Sequence, residues 1–347
     1  MVKEPDILKK QRKSATMRDV AKLAGVSQPT VSRVLNQTNT TISISDETRS
    51  KVMAAVEEAN YSPNVLARGL RTQQTQMIAV LIADISNSFY HPIVRGIQDV
   101  ASEYGYDVMI ANSDHVHSNE IHFCEAVSRR PVDGVIMVPI HLTTQDLGDF
   151  ISRTNTPLAV LGLHIDHPQI DVVFMQDEKA VYDATRWLVE ERQHRSIGFI
   201  GVPDDLPPGP RRFRGFMRAL NDVGLGIQQK HIVTGDFSLE SGRQAAYELI
   251  EAGDLPSVVV VLNDLMAIGA ILGFQERGYQ VPDDIAVIGF DDIPEAQIVR
   301  PTLTTIAQDS TDIGRKLATC LFQRIEDPTL PQCWLESPAR IIKRGSA

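Results

Sequence analysis

Residues 16–35 read TMRDVAKLAGVSQPTVSRVL, and their spacing predicts two short helices joined by a glycine turn. Thr16 is a good N-cap, and Asp19 three residues on completes a near capping box while favouring the positive end of the helix. Val20, Leu23 and Ala24 are expected on one helical face. Gly25 supplies a left-handed turn that a β-carbon would penalise. Ser27 is expected to cap the second helix, whose early Pro29 needs no intrahelical N–H partner. Val31, Val34 and Leu35 then lie inward, which leaves Gln28, Pro29, Ser32 and Arg33 facing out. A short second helix presenting its N-terminal side chains is the geometry that enters a DNA major groove. The coincidence of cap, turn glycine and outward Gln and Arg argues against a helical hairpin used only for packing.

The rest of the chain is of another kind. Residues 1–76 hold twelve Lys/Arg against seven Asp/Glu, whereas the remainder holds 22 against 37, within a net charge of −10 for all 347 residues. A small basic module tied to an acidic body fits a protein that meets nucleic acid at one end only. No stretch approaches the ~18 apolar residues of a membrane span. Residues 1–15 lack the apolar core of an export signal and read as a basic arm, so a cytoplasmic location is expected. Cys124, Cys320 and Cys333, odd in number and widely spaced, are expected as reduced thiols and not as a disulfide or zinc site.

Beyond the first two helices, Ser45 is expected to cap a third, with Asp46 and Glu47 in its first turn and Val52, Ala55, Val56 and Ala59 as its apolar stripe. Residues 16–62 form the DNA-binding domain on this reading, and residues 63–76 a short VLARGL segment and linker. From Met77 to Ala347, apolar runs alternate with helical patterns: MIAVLIA, YDVMIA, DGVIMVP, PLAVLGL, VVFM, SIGFIGV, HIVTG, SVVVVL and DIAVIGF read as buried strands. Helical stretches are expected at 92–104, 177–193, 215–223, 240–252 and 264–277. Such alternation makes parallel sheets covered by helices. So many strands imply two α/β lobes, with a ligand cleft at the strand C-termini.

RDVAKLAGVSQPTVSRVLN, SDETRSKVMAAVEEANYSPNVLARGLR, DISNSFYHPIVRGI, VDGVIMVP, IGFIG, RFRGFMRAL, VVVLNDLMAIGA, VPDDIAVIGFDD and PTLTTIAQD follow one another from Thr16 to about Ile342. In that order they resemble the lactose-repressor/galactose-repressor (LacI/GalR) family of bacterial transcription factors. The resemblance implies an N-terminal all-α helix-turn-helix domain and a two-lobed, periplasmic-binding-protein-like (type I) effector domain. It also implies a homodimer whose hold on operator DNA is controlled by a small molecule.

By resemblance, Gln28, Pro29 and Arg33 occupy base-reading positions, where Arg33 can pair with guanine and Gln28 with adenine. Thr16, Ser27, Thr30, Ser32 and Asn36 read equally well as phosphate contacts or as caps. Asn64 can cap the hinge helix VLARGL, and Leu70 matches a leucine that wedges into the minor groove. Candidate effector contacts are Asp84, Asn87, Phe89 and Tyr90 in the first lobe and Arg212, Phe237, Asn263 and Asp291 in the second. Asp264 reads as a helix cap. An Asp/Asn/Arg set with aromatics suits a polyol, whose apolar faces stack while its hydroxyls take polar partners. Arg211 beside Arg212 adds the capacity to hold a carboxylate or phosphate, favouring a sugar or an acidic sugar derivative.

The chain departs from the family pattern in a longer stretch at Asn36–Ile44, in Gly162 where Asp is common, and in Gln176-Asp177 where Asp-Asn is usual. Histidines 91, 115, 117, 141 and 164 cluster after expected strands, but solvated or hydrogen-bonded roles fit them better than a metal. No cofactor is expected, and no heptad tail for tetramers. No dinucleotide, Walker, nucleophile-elbow or HExxH motif is present, so enzymes are disfavoured. A purine- or nucleoside-responsive regulator stays open, since Phe89 and Tyr90 can stack a base. A secreted solute-binding protein would need an export signal and no helix-turn-helix.

Overall fold

The computed structural model describes residues 15–36, 44–61, 74–130 and 132–347. The chain divides into two compact units, 1–75 and 76–347.

In the first unit, α1 (Met17–Ala24) starts at Thr16, whose hydroxyl accepts from the Asp19 amide while Asp19 Oδ2 accepts the Thr16 amide at 2.9 Å. Gly25 ends it at φ 66°, the left-handed conformation glycine adopts without strain. Ser27 Oγ then accepts the Thr30 amide at 3.3 Å at the start of α2 (Gln28–Asn36). Ser45 caps α3 (Asp46–Glu58) in the same way. Val20, Ala21, Val31, Val34, Val52 and Ala55 form the core of the three helices. Leu23 is not among them: it is 51% exposed. The inward stripe of α1 is Met17, Val20, Ala21 and Ala24, spaced i, i+3, i+4, i+7, and Leu23 falls outside that period.

In the second unit, one lobe is built from β1 (Met77–Ile82), β2 (Asp107–Asn112), β3 (Gly134–Met137), β4 (Leu158–Leu161) and β5 (Ile170–Met175). They alternate with α4 (Tyr90–Glu103), α5 (His117–Arg129) and α6 (Thr144–Thr154). The other lobe repeats the plan with β6 (Ile197–Gly201), β7 (Ile232–Thr234), β8 (Val258–Val261), β9 (Ala286–Asp291) and β10 (Thr304–Gln308). Its helices are α7 (Asp177–Glu190), α8 (Gly209–Asp222), α9 (Leu239–Glu251) and α10 (Asp264–Glu276). The chain then adds α11 (Ser310–Glu326), β11 (Trp334–Ser337) and β12 (Ala339–Ile342).

The sheets run β11-β5-β4-β3-β1-β2 and β12-β10-β9-β8-β6-β7, parallel except for the β10–β12 pair. Each sheet therefore reverses its winding beside its first strand, between β1 and β3 and between β6 and β8. In open parallel sheets the crevice for a ligand lies at that reversal, outside the strand C-termini. The chain passes between the lobes at Gln176, at Asp309 (α11 packs on α4 of the first lobe) and at Pro338.

The nine apolar runs form β1–β9. β10, β11 and β12 escape a hydrophobicity reading because polar and charged residues interrupt them, and only Pro338 separates the last two. α5, α6 and α11 carry polar residues through much of their length. α8 begins at Gly209, ahead of the expected 215, with Pro210 in its first turn. One correction concerns the cysteines: Cys320 of α11 and Cys333 before β11 form a disulfide, leaving Cys124 as a buried free thiol. Spacing along the chain hides this pairing, because the turn after α11 brings the two Cα atoms to 6.0 Å. No helix among the described residues is long and apolar enough to cross a membrane.

Candidate functional site

Two surfaces carry the sequence candidates. In the first unit, Gln28 and Pro29 are exposed at the start of α2, with Thr30, Ser32 and Arg33 half-buried behind them. Ser27 and Thr30 bond to each other through their hydroxyls at 2.9 Å, and the Thr16 hydroxyl donates to Asp19 at 2.7 Å, so Thr16 and Ser27 serve as caps and Thr30 braces the Ser27 cap. Asn36 ends α2, and its side chain lies outside the described residues, as do Asn64 and Leu70.

In the second unit, a cleft between the lobes encloses about 670 Å³, its open mouth included. Seven of the eight sequence candidates line it: Asn87, Phe89, Tyr90, Arg212, Phe237, Asn263 and Asp291. Asp84 does not. Its carboxylate accepts the Ser86 amide at 2.8 Å and the Ser86 hydroxyl at 2.7 Å, holding the turn after β1, because a short acidic side chain bonds most readily to the backbone two residues on.

The lining asparagines are tethered by the backbone around them. Asn87 Oδ1 accepts the Phe89 amide, and Phe89 meets Tyr90 edge-on with ring centroids 5.0 Å apart. Asn263 is the cap of α10: its Oδ1 accepts the Met266 amide at 3.0 Å while its Nδ2 donates to the Phe237 carbonyl at 2.9 Å. The expectation that Asp264 caps α10 is thereby corrected. Asp264 is fully buried, accepts from the Ile293 amide and the Thr305 hydroxyl, and burial pushes its carboxyl up to about 7. Phe237 at φ 73° and Asp291 at φ 122° hold backbone conformations that L-residues seldom adopt, as functional sites often do.

The charges form a row. Arg212 is 4% exposed; its guanidinium lies 3.5 Å over the Phe290 ring, Nη1 donates to the Leu262 carbonyl, and Nε is buried without a hydrogen-bond partner. Asp291 lies within electrostatic reach of it and is bonded by Gln308 at 3.2 Å; burial raises its carboxyl well above the ordinary range. On the other side of Arg212, Asp177 lies 3.7 Å from Nε, but its two oxygens are taken by Arg211 at 3.0 Å each. Arg211 in turn faces His164.

The sequence reading left the histidines outside the site, yet His115 and His164 line it. His115 stacks on Phe237 across the cleft at 5.1 Å, and burial lowers its basicity. His164 is held down to about 4, by burial first and the Arg211 charge second. Val138, Ile140, Leu161, Met175, Pro207 and Pro208 complete the wall. Most of them lie at or just after the C-terminal ends of β3, β4, β5 and β6, where open parallel sheets bind ligands. The described residues contain no His/Cys/Asp/Glu group able to hold a metal.

Residues 16–64 match the model of bacterial regulatory proteins of the lacI family, and residues 187–347 match a periplasmic binding protein-like domain. Catabolite control protein A of Priestia megaterium is 34% identical over 334 residues, covering 96% of this chain and 99% of that protein. The transcriptional repressor CytR of Escherichia coli is 32% identical over 338 residues, covering 97% and 98%. The lac repressor dimer bound to operator and the anti-inducer ONPF superposes with a TM-score of 0.83 at 28% identity, covering 96% of this chain and 99% of that one. The chain belongs to the lacI family of bacterial regulatory proteins and is a DNA-binding transcriptional repressor, not an enzyme.

Proposed function

We propose that this repressor acts as a homodimer and that its operator affinity is set by a sugar or sugar derivative bound in the cleft. The observation that carries the ligand class is the composition of the wall: aromatic and aliphatic faces from Phe89, Phe237, Ile140 and Leu161 alternate with the polar ends of Asn87, Arg212, Asn263 and Asp291. A polyol needs both, since its C–H faces pack on rings while each hydroxyl needs a donor or acceptor. In this reading Gln28, Pro29 and Arg33 face the bases, Leu70 enters the minor groove, and the ligand acts by favouring one separation of the lobes.

A purine or nucleoside is the second reading, favoured by the number of rings at the cleft. It is weaker because Phe89 and Tyr90 meet edge-on, and one face of Phe237 is already covered by His115. Thermal shift against sugars, sugar acids, sugar phosphates, purines and nucleosides separates the two. A ligand at 100 times its Kd adds about 2.7 kcal/mol to the native state. A sugar hit that also changes operator retention in a gel shift, and is lost in Asp291→Ala, supports the proposal. A nucleobase hit alone overturns the ligand class.

A further inference from the structure

One polar side chain in the cleft has no use inside the protein. Both ring nitrogens of His164 are shut off from solvent and bonded to nothing, whereas Nε of Arg212, also without a hydrogen bond, lies 3.7 Å from the Asp177 carboxylate. Buried polar atoms are rarely left unpaired, and one that lines a cleft is placed to take its partner from a bound molecule or a water. His164 is placed there with some care. It follows β4 on a loop whose carbonyl at 164 accepts from the Thr144 hydroxyl at 3.5 Å. Gly162, at φ 145°, leaves the space the ring fills: a Cβ there would meet the His164 ring at 3.0 Å.

The neighbouring charges say what the molecule carries. Arg211 and Arg212 both face Asp177, whose two carboxylate oxygens accept from Nε and Nη2 of Arg211. Asp291 lies near Arg212 without an ion pair to it, and burial raises its carboxyl. With both Asp177 oxygens held by Arg211, the Arg212 guanidinium has no carboxylate hydrogen-bonded to it, and an unmatched buried charge is costly. A carboxylate cancels it, a neutral sugar leaves it bare, and a phosphate dianion overshoots it. The start of α8, which carries Arg211 and Arg212 in its first turn, adds partial positive charge of the same sign.

We propose that the cleft is a sugar-acid site in which Arg211 and His164 hold the single carboxylate of the ligand, His164 being the residue that selects acids over neutral sugars. This deepens the sugar reading above and rests on it. A neutral imidazole beside a guanidinium gives one N–H to the second carboxylate oxygen without adding another charge.

Matched sets built on glucose, galactose and mannose test this, each set comprising the aldose, the aldonate, the uronate and the 6-phosphate. Each is titrated calorimetrically into the full-length protein, into His164→Phe, which fills the space without a donor, and into His164→Gln, which keeps one. The expected result is that an aldonate or uronate binds at least tenfold more tightly than its aldose and its 6-phosphate. His164→Phe should lose tenfold or more for the acid alone, and His164→Gln should recover most of it. An aldose or a 6-phosphate binding as tightly as the acid, or an acid indifferent to His164→Phe with native circular dichroism, overturns the sugar-acid site and leaves the sugar reading standing. Silence from all three sets overturns both.

Discussion

Arg324 and Arg212 are both buried guanidiniums beside an aspartate, yet replacing them by Met should have opposite consequences. Arg324 of α11 is 8% exposed and grips Asp171 of β5 with Nε at 2.7 Å and Nη2 at 2.6 Å. It also donates to the carbonyls of Leu330 and Pro331 at 3.1 Å, tying the turn before β11 to the sheet. Asp171 is 1% exposed, and without Arg324 it keeps the Cys333 amide, at 2.8 Å, as a donor. Arg324→Met therefore strands a buried carboxylate, which costs about 3–5 kcal/mol. For a body of this size that is a fall in Tm on the order of 10 °C.

Arg212→Met strands nothing comparable. Asp177 keeps both bonds to Arg211, and Asp291 already favours a proton. The Met thioether can occupy the face of Phe290 that the guanidinium covers. The unliganded protein should change by less than ~1 kcal/mol, since a buried charge is exchanged for a packed apolar group. Ligand-induced stabilisation should vanish. Differential scanning calorimetry at pH 7.5, with and without the ligand found in the panel, measures both effects. Equal falls in Tm for the two variants would refute the distinction between an arginine that completes a buried pair and one held for a ligand.

Two further outcomes are expected. Arg33→Ala should weaken binding to the operator by ~1–3 kcal/mol while barely affecting a scrambled duplex; fluorescence polarisation showing equal losses on both would remove Arg33 from base reading. His164 stays neutral in the folded protein down to about pH 4, through burial first and Arg211 second, whereas the unfolded chain takes up a proton near 6.5. Below 6.5 the unfolded state binds more protons, so stability falls as pH drops toward 4, by roughly 2–3 kcal/mol at the lower end. His164→Gln should remove that loss, and urea midpoints of variant and wild type that differ equally at pH 7.5 and 4.5 would contradict it.

The sequence by itself determined the elements whose signals are local. Caps, turn glycine and apolar spacing placed α1, α2 and α3, because each depends on residues within one or two helical turns. Apolar runs placed β1–β9 in the same way, the topological rule for parallel sheets gave the cleft, and the family resemblance assigned Asn263 and Asp291 to it. Only the tertiary structure decided what depends on residues far apart in the chain. It paired Cys320 with Cys333, set Asp171 against Arg324, and turned Asp84 to its own backbone and away from the cleft. It also assigned the Asp177 carboxylate to Arg211 and left both nitrogens of His164 without a partner. A histidine's role is set by what surrounds its ring in three dimensions, and neither composition nor spacing records that.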